Sequence, residues 1–330
     1  MILAAGLWWL LAGFAVLALG CCALALGYAR QRQLLDLPGE RRSHAVATPR
    51  GGGAGMVLAL LIALLTGAWM LPEWRVVLMA SAAGLVLVAG IGWWDDHRPL
   101  PAMLRLCVHM LAATIVAWLL WRDGAGLIWA VVAFGLCVGL VNIWNFMDGI
   151  NGLATSQAAL AALALAWLMP GALALPALLV AVACLSFLPF NFPRARIFMG
   201  DVGSGALGFV LALLVLLALR RGPETSPLLW LWPLSVFLID AGFTLMTRIW
   251  RGDAWMQAHT EHLYQWYVKR GVSHARVTLG YGAVTAAMGI SMLAMEARAQ
   301  WTIVLASLLL WTTGAACWYR LRSGLMRRHA

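Results

Sequence analysis

Runs of about 17–25 apolar residues recur from one end of this 330-residue chain to the other, each long enough to cross about 30 Å of hydrocarbon. In a bilayer such runs satisfy their backbone polar groups internally, as helices. Charged residues make up 11% of the chain against 63% hydrophobic, where an ordinary soluble domain carries about 25% charged. The fold class expected is therefore all-α, a polytopic integral membrane protein. No polar stretch is long enough for a separate soluble domain, so residues 1–330 read as a single domain.

Eleven helices are predicted near 3–28, 54–71, 76–94, 102–121, 127–147, 152–169, 173–190, 203–220, 228–250, 276–295 and 300–319. Pro72, Gly124-Ala125-Gly126, Pro170-Gly171 and Pro223 punctuate the connections. No basic residue precedes the first segment, and Arg30 and Arg32 follow it. That is the pattern of a spanning helix with its N-terminus outside, on the periplasmic side, rather than of a cleaved signal peptide.

The unusual polar clusters fall between alternate segments: His44–Gly53, Asp95-Asp96, Asn142–Gly152, Asn191–Ser204 and His259–Tyr264. Parity puts all five on one membrane face. Basic residues test this independently. Eighteen Lys and Arg lie in that set of loops and the C-terminal tail, against five (Arg75, Arg122, Arg220, Arg221 and Arg298) in the other set. The bias makes the motif-bearing face, and the C-terminus, cytoplasmic. Most of the net charge of +10 is thus topological, though it also favours anionic lipid heads and anionic substrates. No nucleic-acid motif accompanies it, and no nucleic-acid partner is expected.

All six cysteines (Cys21, Cys22, Cys107, Cys137, Cys184, Cys317) lie within predicted helices without CxxC or His spacing, and read as small packing residues. Tryptophans at helix ends (Trp8, Trp9, Trp93, Trp94, Trp121, Trp230, Trp232, Trp250, Trp318) read as an interfacial belt.

Each cluster carries chemistry beside a plainer reading. Asp95-Asp96 ends the third helix, where mutual repulsion and the helix dipole are both unfavourable unless a cation or proton shares the site. In Asn142–Gly152, Asp148 stands at a helix break, Asn142 and Asn145 need hydrogen-bond partners, and Asn151 is placed to cap helix six. Arg194 and Arg196 could hold phosphate in two-point contacts, and Asp201 offers oxygen that suits Mg²⁺. An Asp before a helix is also a plain N-cap. His259 and His262 share one face if helical, with no third ligand at zinc spacing, so contact with a diphosphate or nucleotide is the better chemical reading. The run Arg50-Gly51-Gly52-Gly53 offers backbone amides to an anion, or simply close packing. Asp240, inside helix nine with Thr244 and Arg248 on its face, should point into the protein. Solvated loops and capped turns explain each cluster singly.

Together, in the order Asp-Asp, NxxNFMDGxNG, RIFMGDxGS and HxxHLYQ, these residues resemble the polyprenyl-phosphate N-acetylhexosamine-1-phosphate transferases. That superfamily includes phospho-MurNAc-pentapeptide translocase and the enzymes that initiate O-antigen synthesis. The resemblance covers nearly the whole chain. It implies transfer of HexNAc-1-phosphate from a UDP-N-acetylhexosamine to undecaprenyl phosphate, with release of UMP, dependent on Mg²⁺ with Mn²⁺ as the alternative ion. By motif position, Asp201 matches the metal-binding Asp, and Asp95 and Asp96 match paired aspartates with acid–base or metal roles. Asp148 matches the first Asp of DGxDG, and His259 and His262 match the histidines near the nucleotide sugar. Asn145, Asn151, His44 and Arg50 are expected to bind substrate, and Arg196 to contact phosphate. The setting implied is a bacterial inner membrane with the site facing the cytoplasm, a glycan of O-antigen or lipopolysaccharide type, and room for a homodimer. Direct attack by the lipid phosphate, with Asp95-Asp96 assisting deprotonation, is favoured over a two-step route through an aspartyl-phosphate.

The chain departs from the pattern at Asn151, where many relatives have Asp. An amide cannot titrate or balance a cation, so any charged role there is in doubt. Two other classes compete: a secondary transporter, which would place polar residues near the midplane, and a catalytically weak lipid-binding relative. GlcNAc, QuiNAc and FucNAc donors all fit, with the discriminating contacts expected in the 251–275 loop.

Overall fold

The computed structural model describes residues 2–37, 46–220, 226–254, 256–257 and 259–327. His44 lies outside the described residues, as do Arg41, Arg42, Arg221 and Arg328 of the charge count. Twelve α-helices account for nearly all of it: α1 (Ile2–Gln31), α2 (Gly53–Met70), α3 (Arg75–His97), α4 (Ala102–Arg122), α5 (Leu127–Phe146), α6 (Leu153–Leu168), α7 (Ala174–Asn191), α8 (Asp201–Leu219), α9 (Ser235–Trp250), α10 (Leu263–Lys269), α11 (His274–Met295) and α12 (Gln300–Arg327). One two-residue antiparallel ladder, β1 (Leu35–Asp36) with β2 (Thr48–Pro49), pairs Leu35 with Pro49 and Asp36 with Thr48. The fold is an all-α polytopic membrane protein.

Ten of the spans are long and apolar enough to cross a membrane. The remaining predicted helix, α6, is a 16-residue apolar helix of about 24 Å, slightly short of the hydrocarbon thickness. Its register is held inside the bundle rather than by length, because most of its residues pack in the core. Three features differ from expectation, the first being that the predicted 228–250 helix opens as a 3-10 turn over Pro227–Leu234 before α9. A short helix, α10, forms in the predicted 251–275 loop, and α12 runs eight residues beyond the predicted end at 319.

Helix α8 is the axis of the bundle. Of its spanning window 83% is buried, against 17% for α12. Small residues at its start allow this depth: Gly203 lies so close to Gly53 of α2 that a β-carbon on Gly203 would sit 2.7 Å from Gly53 Cα. No side chain fits that crossing, so α2 and α8 meet backbone to backbone and bring their N-terminal ends into register.

Three tryptophans of the expected belt belong to the core instead. Trp230, Trp232 and Trp318 are only 5%, 4% and 4% exposed. Trp232 Nε1 donates to Ser307 Oγ at 2.8 Å and Trp318 Nε1 to Asp240 Oδ1 at 3.0 Å. A buried indole needs a partner for its N–H, and these have one. Trp8, Trp9, Trp121 and Trp250 do stand exposed at helix ends.

Candidate active site

The ends of α5 and α8, the 146–152 turn, the strap before α2 and the loop before α10 converge on one cavity of about 460 Å³, with the end of α3 behind its wall through Asp96 and Arg50. Asp36, Arg50, Asn145, Asp148, Asn151, Asp201, Ser204, His259 and His274 are among its lining residues.

The two carboxylates at the end of α3 face different partners. Asp96 has a side chain 0% exposed and accepts from Arg50 Nε at 3.0 Å and Nη2 at 2.5 Å. It also accepts from the backbone N–H of Asp201 at 3.0 Å and Val202 at 3.1 Å. A carboxylate on the first turn of a helix satisfies amides that have no intrahelical partner and meets the positive end of the dipole. The cap of α8 is therefore supplied across the fold by Asp96, not by Asp201. Gly200 makes room for it. Its φ of +75° turns the chain into α8, and a β-carbon there would collide with the Asp96 carboxylate.

Asp95 accepts from the Leu100 N–H at 2.6 Å and from Arg105 Nη1 at 3.1 Å. The same Arg105 nitrogen pairs with Asp201 Oδ2. Arg105, in the first turns of α4, thus bridges the end of α3 and the start of α8. Sequence reasoning counted Arg105 only as a topological charge.

Asp148 differs from all of these. It lines the cavity, and its carboxylate has no hydrogen-bond donor among the described residues. Burial, then the negative charges of Asp201 and Asp96, push its pKa well above the usual carboxylate range, with Arg50 opposing. An acidic group in such surroundings is relieved by a proton or a cation.

Two amides of the glycine run are already taken by backbone carbonyls. Gly52 N–H donates to Phe198 O and Gly53 N–H to Met199 O, both at 2.9 Å, while Phe198 N–H donates to Pro49 O at 2.7 Å. These bonds stitch the strap carrying Arg50 to the chain leading into Asp201. Asn151 does not cap α6 either. Its amide donates to Pro193 O at 3.1 Å, and the buried Gly152 N–H is instead taken by Asn191 Oδ1 at 2.7 Å. Asn145 Nδ2 donates to Ser204 Oγ at 3.0 Å, tying α5 to α8. Arg196 is turned away from the cavity, its guanidinium 5.4 Å from the Phe190 ring centroid.

His259 and His262 lie before α10 rather than on a shared helical face, with ring centroids 4.9 Å apart. His259 lines the cavity; His262 stacks near Phe146 and Tyr264. Burial, then His262 and Arg248, lower the His259 pKa to about 4, and burial also lowers that of His262. Both imidazoles are neutral at pH 7. The α10 segment is fixed from below by Asp240, which accepts from Leu263 N–H at 2.8 Å and Tyr281 Oη at 2.8 Å. Tyr264 Oη donates to Phe146 O at 3.0 Å, joining α10 to the turn that carries Asp148.

No group of three metal-ligating side chains is assembled among the described residues. Mg²⁺ is commonly held by one or two carboxylates plus substrate phosphates. Asp148, undonated and next to the charge of Asp201, fits such an ion.

Residues 77–219, from α3 to α8 and including Asp95, Asp96, Asp148 and Asp201, match the glycosyl transferase family 4 profile. A decaprenyl-phosphate N-acetylglucosaminephosphotransferase of Mycobacterium leprae is 30% identical over 296 residues, covering 76% of this chain and 74% of the relative. A probable undecaprenyl-phosphate N-acetylglucosaminyl 1-phosphate transferase of Bacillus subtilis is 27% identical, covering 81% and 78%. A phospho-N-acetylmuramoyl-pentapeptide-transferase of Synechococcus is 33% identical over 60% of this chain and 63% of its own length. With ten membrane-length spans and these relatives, the chain is a polytopic membrane transferase. The chain belongs to glycosyl transferase family 4, within the superfamily of polyprenyl-phosphate N-acetylhexosamine-1-phosphate transferases.

Proposed function

We propose that this cavity transfers HexNAc-1-phosphate from a UDP-N-acetylhexosamine to undecaprenyl phosphate, releasing UMP, on the cytoplasmic side of a bacterial inner membrane. The observation that carries the reading is the undonated carboxylate of Asp148 beside Asp201, in a cavity at the level where α3, α5 and α8 end. A lipid phosphate reaches that level while its tail stays in hydrocarbon. The surplus of basic residues on the same side supports a cytoplasmic site, where sugar nucleotides are found.

Arg50, held by Asp96 against the cavity wall, is placed to bind a phosphate group. Asp148 and Asp201 would hold Mg²⁺, which supplies charge neutralisation to the diphosphate as UMP departs. The lipid phosphate oxygen attacks the sugar-linked phosphorus, and the bond from that phosphorus to the UMP oxygen breaks with its electron pair leaving on UMP. The acceptor attacks as the phosphate dianion, so no proton is moved and Asp148 stays a deprotonated ligand. Asp96 is saturated with four donors, so it orients Arg50 and the start of α8 rather than moving a proton. Neutral His259 at the cavity rim is suited to hydrogen bonding with the nucleotide sugar. The product would begin a cell-surface glycan of O-antigen type.

The test is UMP release by purified protein from UDP-GlcNAc, UDP-QuiNAc and UDP-FucNAc, with and without undecaprenyl phosphate and Mg²⁺, repeated with Asp201→Asn. Turnover needing both additions and lost in the variant is expected, and names the sugar. Absence of UMP from every donor, with folded protein, would sink the reading. A burst of UMP without acceptor would replace direct attack by an aspartyl-phosphate route.

A further inference from the structure

Helix α12 is the least buried span, yet toward its C-terminal end two large polar-tipped residues are sunk into the protein. Trp318 and Arg322 are 4% and 6% exposed. A buried arginine is costly unless it is paired. Arg322 Nη2 donates to Glu261 Oε2 at 2.8 Å, and Nη1 to Thr247 Oγ1 at 2.7 Å. Its guanidinium lies 5.0 Å from the Trp318 ring centroid. Trp318 Nε1 reaches Asp240, the carboxylate that also receives the Leu263 N–H. Farther along, Arg270 Nη2 donates to Leu325 O.

The bonds converge on one residue. Glu261 and Leu263 flank His262, and both are tied to groups that α12 contacts. Glu261 is held further by Arg248 and by Arg251, the latter at 2.5 Å. Burial works against its charge, but the arginines outweigh it and hold its carboxyl below the usual range. Lys269 Nζ donates to Thr260 O and Oγ1, each at 2.7 Å, closing the loop over α10. A segment that would otherwise be a surface loop is thus fastened at Thr260, Glu261 and Leu263, and one of the three arginines holding Glu261 comes from a helix that touches the cavity nowhere.

We propose that α12 is a latch for the donor-binding loop, with Arg322 and Glu261 as positioning residues that set His259 and His262 against the nucleotide sugar. The inference rests on the function proposed above. Its content is that α12 acts on donor affinity and not on the transfer step, because Asp95, Asp148, Asp201 and Arg105 lie on α3, α4, α8 and the 146–152 turn, none of which α12 bonds.

Arg322→Ala and Arg322→Lys in the full chain test it, read by hydrogen exchange of residues 259–265 and by steady-state kinetics. The Ala variant should raise KM for the sugar nucleotide by about tenfold, the scale of one hydrogen bond to a charged group. KM for undecaprenyl phosphate and kcat should stay near wild type, and exchange in 259–265 should accelerate while α8 stays protected. Lys should restore part of both effects, since a point charge can reach Glu261 but not bridge to Thr247 as well. Unchanged exchange, or a parallel loss in kcat and both KM values, would overturn the latch. If Arg322→Ala does not fold, Trp318→Phe removes the indole N–H to Asp240 and part of the ring under Arg322, and reads out the same loop. A wild-type protein without turnover would refute the proposed function, while the exchange experiment would still decide the latch.

Discussion

Replacing Asp96 with Asn separates a structural post from a proton acceptor. The native carboxylate accepts two bonds from Arg50 and two from the first turn of α8, with no exposed side-chain surface. An amide keeps one accepting oxygen and loses the charge, so Arg50 is left facing a neutral group. Removing one partner of a buried pair costs about 3–5 kcal/mol. Arg50 keeps some solvent contact (its side chain is 21% exposed), which puts the expected loss at the lower end, about 3 kcal/mol. Thermal unfolding in lipid nanodiscs would be compared for wild type, Asp96→Asn, Arg50→Gln and the double variant. The double variant should regain most of the stability lost in Asp96→Asn, because the orphaned charge has gone, and the cycle gives the coupling directly. Turnover should be low in all three variants, since each disturbs Arg50 or the start of α8. If Asp96→Asn unfolds like wild type while turnover vanishes, the argument from its four donors is wrong and Asp96 moves a proton.

Gly53→Ala should destabilise the protein by about 1–3 kcal/mol, or block its accumulation, because the new methyl meets the Gly203 backbone; thermal unfolding and yield report it. Asn151→Asp, although it restores the residue many relatives carry, should lower turnover several-fold, because a carboxylate cannot donate to Pro193 O. Steady-state kinetics that show a gain would mean the position wants charge after all. For His259, the unfolded chain takes up a proton near pH 6.5 but the folded one only at about 4. Protons therefore favour unfolding across that window. The stability His259 contributes is fully present above pH 6.5 and is lost as pH falls toward 4. Melting temperature against pH should show a shallower acid decline in His259→Gln than in wild type.

The spans were legible because hydrocarbon thickness fixes their length, and Asp95, Asp148 and Asp201 because each interrupts an apolar run at a helix end. What each carboxylate touches was not legible. Asp96 caps a helix that starts 105 residues later, a pairing set by how closely α3, α2 and α8 cross and not by any period. Arg105 and Arg196 show the same limit in opposite directions. The first looked topological and bridges Asp95 to Asp201; the second sits beside the FMGD motif and lies over Phe190. Trp318 and Glu261 had no pattern to mark them, since one reads as interface and the other as a loop charge until α12 is seen to dock on α10.

The contrast between α8, 83% buried, and α12, 17% buried, divides the protein's exposure to its surroundings. Changes in bilayer thickness or lateral pressure act on the helices that lipid touches. Asp201 starts a helix shielded from lipid by its neighbours, so the reacting centre is mechanically insulated from the membrane. The histidine loop hangs on a helix bathed in it. Lipid composition would then tune how tightly the enzyme holds its donor and leave untouched how fast it reacts once the donor is bound.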